Sequence, residues 1–160
     1  GLSAVNLPSD WVALNLETVE FSALPASSNI QTVYSFDAYR IWWRTALDAA
    51  WYNSSQAKSY LQKSTQHLQK EWQQKSYLLA RIDLQGKPLV DYEATSQYAM
   101  FHVAMRLLKP NIAQEILVKK ILPKYQKGTW GDRSAYYTQN LVWLSLFNPS
   151  DIPQKLIQKE

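Results

Sequence analysis

Residues 34–52 constrain the fold more than any other stretch, because YSFDAYRIWWRTALDAAWY combines a helix start, charges and aromatic rings. Ser35 is a residue type that caps helices, and Asp37 falls in the following turn, where the helix dipole favours a negative charge. Helix-forming residues continue to Tyr52. The sequence therefore predicts a helix that carries a carboxylate in its first turn.

Charged residues recur along one face of this predicted helix. Residues three and four apart share a face, so Asp37 aligns with Arg40, and Arg44 aligns with Asp48. On an open surface such pairs contribute only about 0.3–0.5 kcal/mol each. The Trp and Tyr rings between them disfavour an open surface, and enclosed charges must be paired or functional. The pattern indicates either structural ion pairs or a functional site.

The composition is that of one globular domain spanning residues 1–160, with 46% hydrophobic residues, 19% charged residues and four glycines. These values predict a compact, mostly helical body. Seven Trp and ten Tyr exceed what one modest core needs. Surplus amphipathic rings are typical of binding surfaces for sugars, nucleobases or proteins.

Apolar residues at helical spacing predict an all-α fold built from helical hairpins. Pro110 is expected to end one helix, and Asn111 to cap the next. The five predicted helices cover residues 35–52, 57–72, 94–108, 111–122 and 134–147.

Residues 78–91 alternate apolar and polar about Gln85-Gly86, which predicts one small β-hairpin. Pro88 restricts the second strand to the edge of a sheet, and a lone hairpin of this size must pack against the helices to be stable. The segment from Gly1 to Thr32 is irregular, with a short helix or strand expected between Asp10 and Glu20.

Three passages carry a resemblance to a known family. Phe36-Asp37-Ala38-Tyr39-Arg40, followed by Trp43-Arg44 and Asp48, resembles the signature around the catalytic base of glycoside hydrolase family 8. Leu7-Pro8-Ser9-Asp10-Trp11 is similar to the family's upstream Pro-Asp-Trp passage, and residues 134–141, SAYYTQNL, are similar to its Tyr-Tyr-led last helix. The resemblance covers most of the chain, but only the C-terminal half of the family's catalytic domain.

That resemblance implies part of an (α/α)6 barrel, which is closed by six helical hairpins. Five helices are too few to close such a barrel. The expected partner is the missing N-terminal half of the barrel, supplied by another polypeptide segment. The alternative is that the chain is a stable fragment with an exposed apolar flank that should associate. Membership of this family would also favour a secreted or periplasmic location.

The resemblance further implies an enzyme that cleaves a β-1,4-linked glucan-type polysaccharide by inversion. Inversion needs a carboxylate base and a carboxylic acid about 6.5–9.5 Å apart. Asp37 matches the family's base, and Arg40 is its expected orienting partner, since both a helix start and a guanidinium keep a carboxylate ionised. The family's acid is a Glu in its N-terminal half, and no stretch here matches that motif.

Aromatic planes stack on the C–H faces of sugar rings, so the substrate-binding candidates are aromatic. Core packing competes for at least half of them. Phe36 stands where the family usually has Tyr, so a hydroxyl that could orient the base or its water is missing. This leaves two alternatives, a non-catalytic carbohydrate-binding relative and a helical protein-interaction domain. The candidates are Trp11, Phe36, Trp43, Trp130, Tyr136 and Tyr137.

Several other functions are disfavoured. The net charge of +4 comes from scattered Lys and Arg, without any nucleic-acid-binding module, so we expect no nucleic-acid partner. The absence of cysteine excludes disulfides and thiolate metal sites. His67 has no second ligand at metal spacing, and His102 is expected to pack in the core, so no metal or cofactor is expected. The sequence has no apolar run long enough to cross a membrane, and no membrane partner is expected.

Overall fold

A computed structural model describes residues 2–152 of the chain, and this part is mostly helical. The five predicted helices are confirmed, and all but the fourth lie within three residues of their predicted bounds. Residue 1 and residues 153–160 of the expected single domain lie outside the described part. The α-helices are α1 (Phe36–Trp51), α2 (Ser55–Lys75), α3 (Thr95–Leu108), α4 (Pro110–Ile116) and α5 (Tyr136–Leu146).

Two short antiparallel strand pairs accompany the helices. β1 (Ala13–Leu14) pairs with β2 (Phe21–Ser22), and β3 (Tyr125–Gln126) pairs with β4 (Thr129–Trp130). Each strand has two residues, so neither pair forms a layer that could cover a core. The strand expected between Asp10 and Glu20 corresponds to β1.

The hairpin predicted for residues 78–91 is reduced to a turn closed by a single bridge. Gly86 adopts a positive φ of 91°, and Ile82 bridges Pro88 in antiparallel fashion. The Leu89 N–H donates to the Arg81 carbonyl and the Asp83 N–H donates to the Lys87 carbonyl, each at 2.9 Å, so Pro88 lies at a non-hydrogen-bonded position of this pair and its missing N–H removes no bond from it. The main chain of Ile82 pairs instead with Tyr34, two residues before α1, with N–O distances of 2.9 and 3.0 Å.

The described chain forms two compact units, and α1 and α2 each contribute residues to both. The first unit comprises residues 2–41 and 63–94, and the second comprises residues 42–62 and 95–152. In the first unit, the second half of α2 buries Leu68 and Trp72, as its helical spacing predicts. The other large buried side chains of this unit are Leu7, Val33, Tyr34, Tyr39, Leu78 and Ile82.

The second unit is organised around α3. Ten consecutive residues of α3, from Ser96 to Met105, are buried, and α3 packs against both α4 and α5. The Phe101 ring lies 5.7 Å from the ring of Trp42 on α1. Because α3 is buried on every side, its sequence has no charged face.

The start and the end of α4 differ from the prediction. Pro110 is the first residue of α4 and Lys109 precedes it, so Asn111 is not the cap. Proline suits this position because the first helical N–H needs no partner. After Ile116 the chain continues as a π-helical turn (Leu117–Ile121) and a 3-10 turn (Leu122–Lys124), rather than as a regular helix to residue 122.

Substituting Gly86 tests the packing of its turn. A Cβ at Gly86 would lie 2.9 Å from Val5 Cγ1 and 3.0 Å from His67 Cε1, whereas a Cβ at Gly128 would meet nothing within 4 Å. Both glycines have positive φ, so each Gly→Ala change costs about 1–2 kcal/mol of backbone strain. We expect Gly86→Ala to lower the free energy of unfolding by at least about 1 kcal/mol more than Gly128→Ala. Urea unfolding measures both, and equal losses would contradict the packing described.

Candidate functional site

The first turn of α1 is held by contacts with residues 80–82. Tyr34 and Ile82 exchange two main-chain hydrogen bonds, and the Tyr39 hydroxyl donates to the carbonyl of Ala80. The Tyr34 and Tyr39 rings lie 5.1 Å apart, and both side chains are buried. The direction in which α1 leaves Ser35 is therefore set by tertiary contacts.

The side chain that caps α1 is Asp10 rather than the predicted Ser35. The N–H of Ala38, the third residue of the helix, donates to Asp10 Oδ1 at 2.8 Å. This N–H is one of the four that lack a partner within any helix. Asp10 is itself held by its own N–H, which donates to the Val33 carbonyl at 2.8 Å. A residue 28 positions upstream thus fixes the first turn.

Asp37 and Arg40 form the ion pair that the sequence predicts. Arg40 Nη2 donates to Asp37 Oδ1, and Arg40 Nε donates to the Asp37 carbonyl at 3.4 Å. Both side chains are 41% exposed, so solvent screening makes the pair worth less than about 1 kcal/mol of stability. Within residues 2–152 no hydrogen bond reaches the second oxygen, Oδ2. The pair orients a carboxylate that solvent can still reach.

Asp10 places a second carboxyl group beside Asp37. Partial burial raises the pKa of Asp10 above its ordinary value of 3.8, and the nearby charge of Asp37 raises it further. Hydrogen bonds from Ala38 and Ser35 lower the pKa and offset part of this effect. The two carboxyl groups therefore differ in environment, one enclosed and capping a helix, the other half-exposed and paired with a guanidinium.

Asp10 joins this site only in the folded chain, because no spacing rule links residues 28 positions apart. Its place in the Leu7-Pro8-Ser9-Asp10-Trp11 passage was the available signal.

Two of the candidate sugar-binding rings belong to the same unit as Asp37. Phe36 immediately precedes Asp37, is 37% exposed, and its ring lies 5.4 Å from the Tyr39 ring. Trp11 immediately follows Asp10 and is 50% exposed. Each ring is therefore accessible to solvent, and each is adjacent in sequence to an aspartate of this site.

The other candidate rings belong to the second unit. Tyr136, the first residue of α5, is 76% exposed, whereas Tyr137 and Trp43 are half-buried. The buried Nε1 atoms of Trp43 and Trp130 have no hydrogen-bond partner within residues 2–152. Tyr136 is therefore the most accessible of these rings, and core packing claims part of the others.

Gln139 holds the main chain of Trp130 in place and was not identified from the sequence. Its Oε1 accepts from the Trp130 N–H, and its Nε2 donates to the Trp130 carbonyl, both at 2.9 Å. The Tyr125 ring lies 4.8 Å from the Trp130 ring on the paired strand. Gln139 lies in the SAYYTQNL passage, and its side-chain amide can donate and accept hydrogen bonds at once. That capacity was the only feature in the sequence that could have identified it.

Residues 2–152 contain no group of three or more His, Asp or Glu side chains that could hold a metal ion. His102 is buried against the carbonyl of Ala113, as expected for a core histidine, and His67 is half-buried near Gly86. In this part of the chain no helix combines the length and apolarity needed to cross a membrane.

Comparison with known proteins adds no family to this description. No family model matches the sequence, and no curated protein sequence matches it.

The cap can be tested by comparing Asp10→Ala with Asp10→Asn. Loss of a side-chain cap costs about 0.5–2 kcal/mol, so we expect Asp10→Ala to lower the free energy of unfolding by about 1 kcal/mol. Asparagine keeps an oxygen that can accept from Ala38 and should cost less. Chemical denaturation measures both, and equal losses would show that the hydrogen bond does not stabilise α1.

The same residue predicts a pH dependence. Because the folded pKa of Asp10 is raised above 3.8, the folded state holds this proton more tightly than the unfolded state. The contribution of Asp10 to stability is therefore largest below pH 3.8 and is lost as pH rises through the folded pKa. Relative to Asp10→Asn, the native chain should become less stable as pH rises through this range, measured by urea unfolding at successive pH values. If the native chain instead became more stable than Asp10→Asn as pH rises, the raised pKa of Asp10 would be contradicted.

Proposed function

We propose that this chain is the C-terminal portion of a glycoside hydrolase that cleaves β-1,4-linked glucan-type polysaccharide by inversion. The observation that carries the proposal is the Asp37 carboxylate in the first turn of α1, half-exposed and bound on one side by Arg40. It lies in the passage that resembles the catalytic base of glycoside hydrolase family 8. The corresponding fold is part of an (α/α)6 barrel that an N-terminal half completes.

In this proposal Asp37 acts as the general base. Arg40 holds Oδ1, so Oδ2 is the oxygen available to accept a proton from water. That water attacks the anomeric carbon from the face opposite the leaving group, and the bond from this carbon to the leaving oxygen breaks. The leaving oxygen takes its proton from the acid of the N-terminal half. Asp10 acts only as a positioning residue, since its carboxylate caps α1.

The accessible aromatic rings support a polysaccharide substrate. Trp11 and Phe36, with exposed faces beside Asp10 and Asp37 in sequence, are the proposed stacking partners in the first unit. In the second unit Tyr136, with 76% exposure, is the best placed of the candidates to meet a sugar ring. Trp43, Trp130 and Tyr137 complete the proposed binding residues.

A non-catalytic glycan-binding protein is the second candidate. Phe36 favours it, because a phenyl ring supplies a stacking surface but no hydroxyl to orient Asp37 or its water. The exposed rings would serve both candidates equally, so hydrolysis is the property that separates them.

An activated substrate tests the base without the missing acid. Dinitrophenolate is so weak a base that it leaves without protonation, so 2,4-dinitrophenyl β-cellobioside should need only Asp37. We expect slow release of dinitrophenolate, measured by absorbance. The first sugar product should be the α-anomer of cellobiose, identified by NMR. Asp37→Asn should lower kcat by about 10²–10⁴-fold.

Asp91→Asn is the matched control, since Asp91 is an exposed carboxylate of the same unit and lies outside the three passages that carry the resemblance. It should leave kcat unchanged. Release of the β-anomer, or equal activity in Asp37→Asn, would contradict the proposed mechanism. Saturable binding of cello-oligosaccharides without any hydrolysis would favour the second candidate.

A further inference from the structure

The second unit contains a cavity of about 310 Å³ beside α3, α4 and the end of α5. Small-molecule sites begin at about 300 Å³ and typically combine an apolar lining with a few polar groups. None of the residues proposed for glycan hydrolysis lines this cavity. Its polar lining is His102, Arg106 and Gln114, and its apolar lining includes Leu117 and Leu146.

Arg106 brings a positive charge to the cavity wall. Its Nη1 makes only long contacts with the carbonyls of Ser145 and Leu146, at 3.5 and 3.4 Å. Within the described residues no carboxylate pairs with it. A guanidinium has five N–H donors in a planar fork that matches a carboxylate. The half-buried charge therefore favours a ligand with a carboxylate group.

His102 adds a hydrogen-bond acceptor. Its Nδ1 lies 3.0 Å from the Ala113 carbonyl, and because a carbonyl only accepts, Nδ1 carries the proton. Burial lowers the pKa of His102 to about 4, and the nearby charge of Arg106 also lowers the pKa. The ring is therefore neutral near pH 7, and Nε2 is an acceptor. A ligand that satisfies it must bring an O–H or N–H donor.

We propose that this cavity binds a small carboxylate that also carries a hydroxyl group. Arg106 binds the carboxylate, His102 Nε2 accepts from the hydroxyl, and the Gln114 amide donates to the second carboxylate oxygen. Leu117 and Leu146 contact the carbon chain of the ligand. This site is independent of the proposed glycan hydrolysis and adds a binding function to it.

The lining disfavours other classes of small molecule. An amine would be repelled by Arg106, and a neutral polyol would leave its charge without a counterion. A simple carboxylate such as acetate would pair with Arg106 and leave Nε2 of His102 without a donor. Each of these can serve as a comparison ligand.

Binding can be followed by NMR of the His102 ring and the Gln114 side-chain amide in the 160-residue chain. We expect saturable shifts with glycolate, at a Kd at least tenfold lower than that of acetate, and none with ethylene glycol. Arg106→Lys keeps the charge near the carbonyls of α5 but loses the fork, and should weaken glycolate binding at least tenfold. Arg133→Lys, at an exposed arginine of the same unit, should leave the Kd unchanged.

Three results would overturn the site: no saturable shift with glycolate, equal Kd values for glycolate and acetate, or equal losses in Arg106→Lys and Arg133→Lys. If Arg106→Lys does not fold, Gln114→Ala gives an independent test, because Gln114 is exposed and its loss leaves the core intact. It should raise the Kd of glycolate severalfold. An unchanged Kd would contradict the role assigned to Gln114 and with it the site.

Discussion

The hydrogen bond from the Ala38 N–H to the Asp10 carboxylate is the interaction on which the proposed site depends. It satisfies one of the helix-start donors that would otherwise lack a partner, and it does so across 28 residues of chain. Together with the Tyr34–Ile82 main-chain pairing, it fixes where α1 begins. Because Asp37 is the second residue of α1, the position of its carboxylate follows from those contacts.

Two neighbouring aspartates have separate tasks because their surroundings differ. Asp10 is partly enclosed, its pKa is raised, and its oxygens accept from α1 and Ser35. Asp37 remains half-exposed, with Arg40 on one oxygen. The proposed general base must accept a proton from water and so needs solvent access, which Asp37 has. The enclosed group contributes by holding the exposed group in position.

The helices were predictable because each depends on short-range spacing. Apolar residues at every third or fourth position identified the buried face of α2, and the charge spacing identified the Asp37–Arg40 pair. Predictions failed where a main-chain feature decided the outcome. Pro110 starts α4 instead of preceding it, and the expected hairpin forms a single bridge between Ile82 and Pro88. The π-helical turn at Leu117–Ile121 has no signal in residue spacing.

By itself the sequence determined the helical class, the carboxylate in the first turn of α1 and its arginine partner, because these follow from residues within four positions of one another. Only the tertiary structure decided that Asp10 caps that helix, that Gln139 holds Trp130, and that His102 and Arg106 line one cavity. Those groups are separated along the chain, and hydrogen bonds and burial between distant segments depend on how the backbone folds rather than on local spacing.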